Sequence, residues 1–301
     1  MRIDRSSARI AFLGLGKMGL PMASRLVAAG WNVAGFDPSP AASEAFAAAG
    51  GTAAASAQEA AAGSSVVVTM LPDGRAVRAV LAGPEGVAGA LAPGAIAVDM
   101  SSSAPVGTRE LARHLAEAGV VLLDAPVSGG VKRALDGTLA IMVGGDADAA
   151  AAVKPLLEDL GTSIFETGPI GSGHAMKALN NYVSAAGLTA ACEALRIGAR
   201  FGLDPELMTD ILNVSTGRNN STEVKLKPFV IPKTYASGFS MALMAKDLRT
   251  ADDLARHEGV PAPLSRAVAA LWQQALDALG TEADHTAIDA FLAELPVPHQ
   301  D

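Results

Sequence analysis

The residues Gly14 to Gly19, in the segment ARIAFLGLGKMGLPMASRL, have the spacing G-x-G-x-x-G. An apolar run precedes them and a helical pattern follows, which is the setting in which this motif binds a dinucleotide pyrophosphate. The first glycine permits a tight turn, the second a close approach to phosphate, and the third close packing of helix on strand. Free N–H groups at the helix start attract the phosphates. We therefore predict a dinucleotide site formed by Gly14, Leu15, Gly16, Lys17, Met18 and Gly19.

Asp37 ends a second apolar run, NVAGFD, about 20 residues beyond the glycines, as the dinucleotide fingerprint requires. A carboxylate there accepts hydrogen bonds from the adenosine ribose hydroxyls and repels a 2′-phosphate. The next residues, Pro38-Ser39-Pro40, supply no arginine for such a phosphate. The sequence thus predicts NAD, with NADP less favoured. In the alternative interpretation, Asp37 only caps the helix that follows.

Two other groups of residues have types suited to a substrate. Lys177 and Asn181 are four positions apart in a long stretch without proline, so they share one face of a predicted helix. Burial and a positive nicotinamide ring would lower the lysine pKa and suit the side chain to proton transfer. Ser128-Gly129-Gly130 follows an apolar run and offers a hydroxyl and backbone N–H groups to an anion. By position alone, the lysine could equally be a surface residue and the glycine pair an ordinary turn.

The elements that hold these residues change character along the chain. The strand candidates are ARIAFLG, NVAGFD, SSVVVTML, AIAVDMS, VLLDAPV and AIMVGG, and Ala-rich helical stretches separate them. This alternation predicts an α/β fold with an N-terminal, Rossmann-like, doubly wound and mostly parallel sheet. Beyond Gly168 a long helix is expected to reach Phe201, and broken helical segments follow it without strands. We predict an NAD-binding domain over 1–168 and an all-α substrate and oligomerisation domain over 169–301.

Composition excludes several classes of protein. The chain has 301 residues with a formal net charge of −8, which argues against a nucleic-acid partner. No apolar run approaches the ~18 residues of a membrane span. The single cysteine, Cys192, precludes an intrachain disulfide and suits a reducing cytoplasm. No cluster of His, Cys and carboxylate residues has ligand spacing, so no metal is predicted.

Four stretches together resemble the β-hydroxyacid dehydrogenase family, which includes 3-hydroxyisobutyrate dehydrogenase and tartronate semialdehyde reductase. In chain order they are GLGKMGLPMASRL, DAPVSGGVKRALDGTLAIMVGG, GSGHAMKALNNY and FSMALMAKDLRTA. The resemblance covers nearly the whole chain. It implies an NAD-dependent oxidoreductase that interconverts a small 3-hydroxy acid and its semialdehyde, as a homodimer or homotetramer.

The same resemblance implies residue roles. Lys177 matches the catalytic acid/base of the family. The implied substrate-binding residues are Ser128, Gly129, Gly130, Asn181, Asp247 and Phe239. The implied cofactor residues beyond the glycine loop and Asp37 are Leu71, Pro72, Ser102 and Lys246.

The chain departs from the family pattern at Ala76 and in the segment STGRNNSTEVKLK. Ala76 stands where relatives often carry a polar residue, which removes one side-chain contact to the cofactor. In STGRNNSTEVKLK some relatives carry a large aromatic, and here Asn219 and Asn220 would suit a more polar substrate such as tartronate semialdehyde, glycerate or serine. An exposed loop explains the same residues equally well.

Alternatives remain open from the sequence. An imine reductase has the same two domains, but such relatives typically replace the catalytic lysine. A non-catalytic cofactor-binding protein would have no need of Lys177, Asn181 and Ser128. A decarboxylating 6-phosphogluconate enzyme would require a longer chain with basic phosphate-binding residues, so we discount it.

Overall fold

The computed structural model describes residues 3–296. The chain forms two compact units, Met1–Lys177 and Ala178–Asp301. The domain boundary predicted after residue 168 falls where the last strand ends, whereas the two units part inside the following helix. The first turn of that helix belongs to the first unit because His174 is buried there, with hydrogen bonds to Thr108 and Asp124.

A nine-stranded sheet lies in the described part of the first unit, in the order β3-β2-β1-β4-β5-β6-β8-β7, with β9 paired to β8. The strands are β1 Arg9–Leu13, β2 Asn32–Phe36, β3 Thr52–Ala53, β4 Val66–Thr69, β5 Ile96–Asp99, β6 Val121–Asp124, β7 Val127–Ser128, β8 Leu139–Gly144 and β9 Gly161–Gly168. Strands β1 to β6 pair in parallel, β8 runs antiparallel to β6 and β7, and β9 is parallel to β8. The predicted mostly parallel sheet is confirmed.

Three strands were not predicted from the sequence. β3 has two residues, too few for an apolar run. The single run predicted over VLLDAPV is wrong: Ala125 and Pro126 interrupt it, and β6 and β7 pair with β8 separately. Within residues 3–296, β9, GTSIFETG, pairs only with β8, and Phe165 on it is half exposed, so the strand lacks the continuous apolar run of a buried strand.

Helices cover both faces of the sheet. They are α1 Gly19–Ala28, α2 Pro40–Ala48, α3 Ala57–Ala61, α4 Gly74–Ala82, α5 Pro105–Glu117, α6 Gly130–Asp136 and α7 Ala147–Glu158, with a 3-10 turn at Ala88–Ala90. β1 shows why two layers are needed, because its side chains alternate between the faces. Ile10 and Phe12 pack into one core cluster, and Ala11 and Leu13 pack into another.

The second unit is helical, as predicted. α8, Ser172–Phe201, begins in the first unit and continues into the second; the others are α9 Pro205–Asn213, α10 Asn220–Val224, α11 Met241–His257, α12 Pro263–Leu279 and α13 Ile288–Glu294. A π-helical segment spans Leu226–Val230 and a 3-10 segment spans His285–Ala287. Trp272 is fully buried at the centre and donates a hydrogen bond to Thr189 Oγ1 (2.9 Å). Among the described residues, none of these helices combines the length and apolar character that crossing a membrane requires.

Candidate active site

The glycine-rich loop connects β1 to α1 and has the shape that a dinucleotide phosphate needs. Gly14 has φ +99°, and a Cβ there would overlap the carbonyl oxygen of Met70. A Cβ on Gly19 would overlap the carbonyl oxygen of Gly14. At Gly16, in contrast, a Cβ would meet no atom within 4 Å. The loop therefore packs tightly against the protein at Gly14 and Gly19 and leaves space beside Gly16. This space fits a pyrophosphate at the start of α1.

Asp37 follows β2 and lies beside this loop. Its Oδ2 accepts a hydrogen bond from the backbone N–H of Leu15, and its Oδ1 accepts one from that of Ser39, each at 2.8 Å. The α2 helix is capped by Ser39, whose Oγ accepts from Ala42 N–H, so the interpretation of Asp37 as the helix cap is wrong. The carboxylate thus fixes the loop and places a negative charge at the end of β2, where ribose hydroxyls need acceptors.

The other predicted cofactor residues of the first unit lie at the same edge of the sheet. Leu13 is in register with Thr69, and Thr69 with Asp99, so the carboxyl ends of β1, β4 and β5 are aligned. Leu71 and Pro72 follow β4, and Ser102 follows β5. The backbone N–H of Leu71 donates to Ser101 Oγ at 2.9 Å, which ties the two following loops together. Ligands bind at this edge in open α/β sheets.

Ser128, Gly129 and Gly130 connect β7 to α6. Gly129 has φ +135° and Gly130 has φ +68°, backbone conformations that residues other than glycine rarely adopt. Ser128 is half-buried and both glycines are exposed, and a Cβ on Gly130 would meet nothing within 4 Å. The turn therefore keeps backbone N–H groups accessible, as an anion-binding turn requires.

A buried polar network supports the start of α8, and sequence reasoning missed it. His174 lies in the first turn of α8. It is 1% exposed, with Nδ1 hydrogen-bonded to Thr108 Oγ1 (2.8 Å) and Nε2 to the carbonyl oxygen of Ser101 (3.2 Å). Asp124 accepts the backbone N–H groups of Gly171 and His174, each at 2.7 Å. Asp99 and Asp124, which follow the apolar residues in AIAVDMS and VLLDAPV, were the sequence signal that could have predicted this network.

Asp99 plays the matching role for the loop after β5. Its Oδ1 accepts from Thr69 Oγ1 (2.9 Å) and from Ser101 N–H (3.0 Å), and its Oδ2 accepts from Ser103 Oγ (2.7 Å). Ser102, a predicted cofactor residue, lies between two residues that this carboxylate holds. Buried carboxylates thus order both the loop after β5 and the helix start that precedes Lys177.

Replacing Asp124 by alanine is expected to lower the free energy of unfolding by about 2–4 kcal/mol, because two buried N–H groups at the start of α8 lose a charged acceptor. Chemical denaturation followed by circular dichroism measures it. The matched control is Asp146→Ala: this exposed aspartate caps α7 by accepting from Ala149 N–H, and its loss should cost only about 1 kcal/mol. Equal losses in the two variants would contradict the assigned role of Asp124.

In the second unit, α8 and α11 bring three of the predicted residues together. Asn181 Nδ2 donates to Asp247 Oδ2 at 2.6 Å, and Lys246 Nζ lies 3.6 Å from Asp247 Oδ1. Asn180 Nδ2 donates to Asn181 Oδ1 at 3.2 Å, a contact that the sequence did not indicate. Asn181 and Asp247 are 7% and 2% exposed, so the orientation of this amide is fixed by buried partners.

Lys177 and Phe239 complete the predicted set. Lys177 is partly buried on α8, one helical turn before Asn181 on the same face. Phe239 is half-buried just before α11 and meets the His285 ring edge-on, with ring centroids 5.6 Å apart. Within residues 3–296, no group of three or more His, Cys, Asp and Glu side chains is arranged to hold a metal ion.

Two family models match the chain in sequence order. One is described as the NAD binding domain of 6-phosphogluconate dehydrogenase and matches residues 9–168. The other is described as "NAD-binding of NADP-dependent 3-hydroxyisobutyrate dehydrogenase" and matches residues 171–292.

Individual relatives are similar over most of their length. The 2-(hydroxymethyl)glutarate dehydrogenase of Eubacterium barkeri is 38% identical over 86% of each chain. The NAD-dependent L-serine dehydrogenase of Pseudomonas aeruginosa is 36% identical, over 93% of this chain and 96% of its own. A solved structure of Mycobacterium tuberculosis 3-hydroxyisobutyrate dehydrogenase with L-serine has a TM-score of 0.87 at 38% identity, covering 94% of this chain and 98% of that one.

The chain belongs to the β-hydroxyacid dehydrogenase family. It is an oxidoreductase with NAD as its primary cofactor, which the residues around Gly16 and Asp37 fit. An imine reductase of Streptomyces aurantiacus is more distant, at 21% identity and a TM-score of 0.63, and that likeness shows the fold alone.

Proposed function

We propose that the protein oxidises the 3-hydroxyl of a small 3-hydroxy acid to the semialdehyde, and catalyses the reverse reduction, with Lys177 as acid/base. The observation that carries the proposal is the arrangement on α8. Lys177 lies one turn before Asn181, whose amide is fixed by the buried carboxylate of Asp247. Bound NAD supplies the hydride acceptor, and the chain supplies position and proton transfer.

Each residue of the proposed site has one task. In oxidation, Lys177 Nζ takes the hydroxyl proton as the hydride leaves the same carbinol carbon, and in reduction it returns the proton. Asn181 hydrogen-bonds the substrate oxygen beside it. Ser128 Oγ and the N–H groups of Gly129 and Gly130 hold the substrate carboxylate. Lys246 lies beside the cofactor, and Phe239 excludes water from the reacting atoms.

The relatives' names support the substrate class. 3-Hydroxyisobutyrate, L-serine and 2-(hydroxymethyl)glutarate all carry a hydroxymethyl group on the carbon that bears a carboxylate. We propose a substrate of this kind. Of the two asparagines expected to favour a polar substrate, Asn219 caps α10, with Oδ1 accepting from Ser221 N–H (2.8 Å) and Thr222 N–H (3.3 Å). Contact with substrate stays a prediction for Asn220, which is exposed at the first position of α10.

The purified protein tests this proposal directly. It should reduce NAD with one or more 3-hydroxy acids of this class, followed by the ultraviolet absorbance of reduced nicotinamide. 2-Hydroxy acids of equal size should give no turnover, because their hydroxyl lies one carbon closer to the carboxylate. Turnover of 2-hydroxy acids alone would contradict the proposal.

We also propose that the protein is a cytoplasmic homo-oligomer and that 169–301 is the substrate and oligomerisation domain. The support is an apolar stripe on α8, where Val183, Ile197 and Phe201 are 67%, 71% and 84% exposed. Large exposed apolar side chains on one face of a helix indicate a protein interface. The free, buried Cys192 suits a reducing compartment.

The double variant Ile197→Asp, Phe201→Asp is expected to shift the mass measured by light scattering from a dimer or tetramer to a smaller species. The new carboxylates would lose their hydration if the stripe were covered by a second copy. Lys154→Asp, an exposed change on α7, should leave the mass unchanged. A monomeric wild-type protein would contradict the proposed assembly.

A further inference from the structure

Lys225 stands at an irregular point of the second unit. It follows α10 and precedes the π-helical segment Leu226–Val230, and its carbonyl oxygen accepts from the N–H groups of Phe229 (3.1 Å) and Val230 (3.2 Å). Its side chain reaches α8, where Nζ donates to Ser184 Oγ at 3.3 Å. Short π-helical segments are frequent at functional sites because they displace side chains from the ordinary helical direction.

In the described part of the chain, no carboxylate lies at ion-pair distance from the ammonium group of Lys225. Among residues 3–296, its hydrogen-bond partner is the neutral hydroxyl of Ser184. Asp284 attracts it only from beyond ion-pair distance, and that carboxylate accepts hydrogen bonds from Ser237 Oγ (2.9 Å) and from the N–H groups of Gly238 (2.8 Å) and Thr286 (2.9 Å). A desolvated cation without an adjacent anion is costly to maintain, and a bound anion would offset that cost.

Burial lowers the pKa of Lys225 to about 8, and the attraction of Asp284 opposes this shift. The two other titratable groups that act on it are neutral near that pH. Burial raises the pKa of the Cys192 thiol, and burial lowers the pKa of the His285 imidazole. Lys225 is therefore charged below about pH 8 and loses its charge above it.

The position of Lys225 relates it to the proposed substrate site within the same unit. Its partner Ser184 is three residues after Asn181 on α8, so the two side chains are neighbours on one face. They are separated by about 4.5 Å along the helix axis. Asn181 is itself fixed by Asp247. If the reacting carbon lies near Asn181, a substrate carboxylate two or three carbons away from it lies at about this distance, which brings it to Ser184 and Lys225.

We propose that Lys225 is a specificity-determining residue that binds a second carboxylate of the substrate, so that the preferred substrate is a 3-hydroxy dicarboxylic acid. This inference rests on the proposed function and names the substrate class of the same site. The second carboxylate pairs with the Lys225 ammonium and the Ser184 hydroxyl.

The test compares three probes of graded charge and size. They are 3-hydroxyisobutyrate with one carboxylate, 2-(hydroxymethyl)glutarate with two, and the 5-amide of the latter, which keeps its size and loses one charge. The wild-type protein should use the diacid with a kcat/KM at least about 10-fold above that of either comparison compound, as one charge-assisted hydrogen bond provides. Equal kcat/KM for the diacid and its amide would overturn the inference.

Lys225→Met removes the charge and keeps the length of the side chain. It should lower kcat/KM for the diacid about 10- to 100-fold, through KM, and change that for 3-hydroxyisobutyrate less than about 3-fold. Lys225→Arg should restore part of the preference. The matched control is Lys227→Met, because Lys227 is an exposed neighbour paired with Asp210 (2.7 Å) and should affect neither substrate. Equal losses for both substrates in Lys225→Met would show a merely structural role and overturn the inference.

The pH dependence supplies a readout that a structural role would not move. In the wild type, KM for the diacid should rise above about pH 8 as Lys225 loses its proton, whereas KM for 3-hydroxyisobutyrate should not. In Lys225→Met the rise should vanish. If the protein oxidises 3-hydroxyisobutyrate or L-serine without preferring the diacid, only this inference fails; if it oxidises no 3-hydroxy acid of the class, the proposed function fails as well.

Discussion

Replacing Lys177 by alanine is expected to lower kcat for 3-hydroxy acid oxidation by about 100- to 10,000-fold, the usual contribution of a positioned acid/base. The substrate hydroxyl then has no group to take its proton as the hydride leaves. Stopped-flow or steady-state measurement of NAD reduction gives the size of the loss. Binding of reduced NAD, followed by its fluorescence, should stay within about 2-fold, because the glycine loop and Asp37 belong to other elements.

Lys154→Ala is the matched control for this variant. Lys154 is an exposed lysine on α7, so its loss should leave kcat unchanged. Lys177→Arg should also be nearly inactive, since a guanidinium does not release its proton in the working pH range. A Lys177→Ala protein that keeps the wild-type turnover would remove lysine from the proposed mechanism.

Replacing Asp37 by serine is expected to change the ratio of kcat/KM for NAD to that for NADP by about 100-fold or more. The variant loses a charged acceptor for the ribose hydroxyls and the repulsion of a 2′-phosphate. Because Asp37 also accepts from Leu15 and Ser39 N–H groups, some affinity for both cofactors should be lost with loop order. Parallel titration with the two cofactors separates these effects, since loop disorder weakens both and lost discrimination changes only their ratio.

A control variant at Ser39 distinguishes the effect of the Asp37 charge from that of a disturbed local structure. Ser39→Ala removes the cap of α2 and leaves the Asp37 carboxylate in place. It should lower thermal stability slightly and leave the NAD preference intact. A wild-type protein that prefers NADP would contradict the role given to Asp37.

The parts of the fold that were predictable depend on local patterns. β1, β2, β4, β5 and β8 are short apolar runs, and burial on both faces of the sheet makes such runs continuous in sequence. β9 was not predicted because, in the part of the chain that the structure describes, it pairs with one neighbour and is half-exposed. α8 was predictable over nearly its whole length because proline is absent and helix-forming residues recur.

The residues of the candidate site likewise fall into those that a local sequence pattern predicts and those that tertiary packing brings together. The glycine loop was predictable because its turn requires three glycines at fixed positions within six residues. The partners of His174 were not, because Thr108, Ser101 and Asp124 reach it only through the strand order of the sheet. Lys225 was read as part of a polar loop, and its burial against Ser184 comes from tertiary packing that no local pattern expresses.

Transfer of deuterium shows whether hydride passes directly from the substrate to the cofactor. A 3-hydroxy acid with both hydrogens of its carbinol carbon replaced by deuterium is incubated with the protein and NAD, and the reduced cofactor is analysed by mass spectrometry. We expect one deuterium on the nicotinamide ring for each semialdehyde formed, because the hydride moves directly from carbon to cofactor. Reduced cofactor without the label, or semialdehyde formed without reduced cofactor, would contradict it.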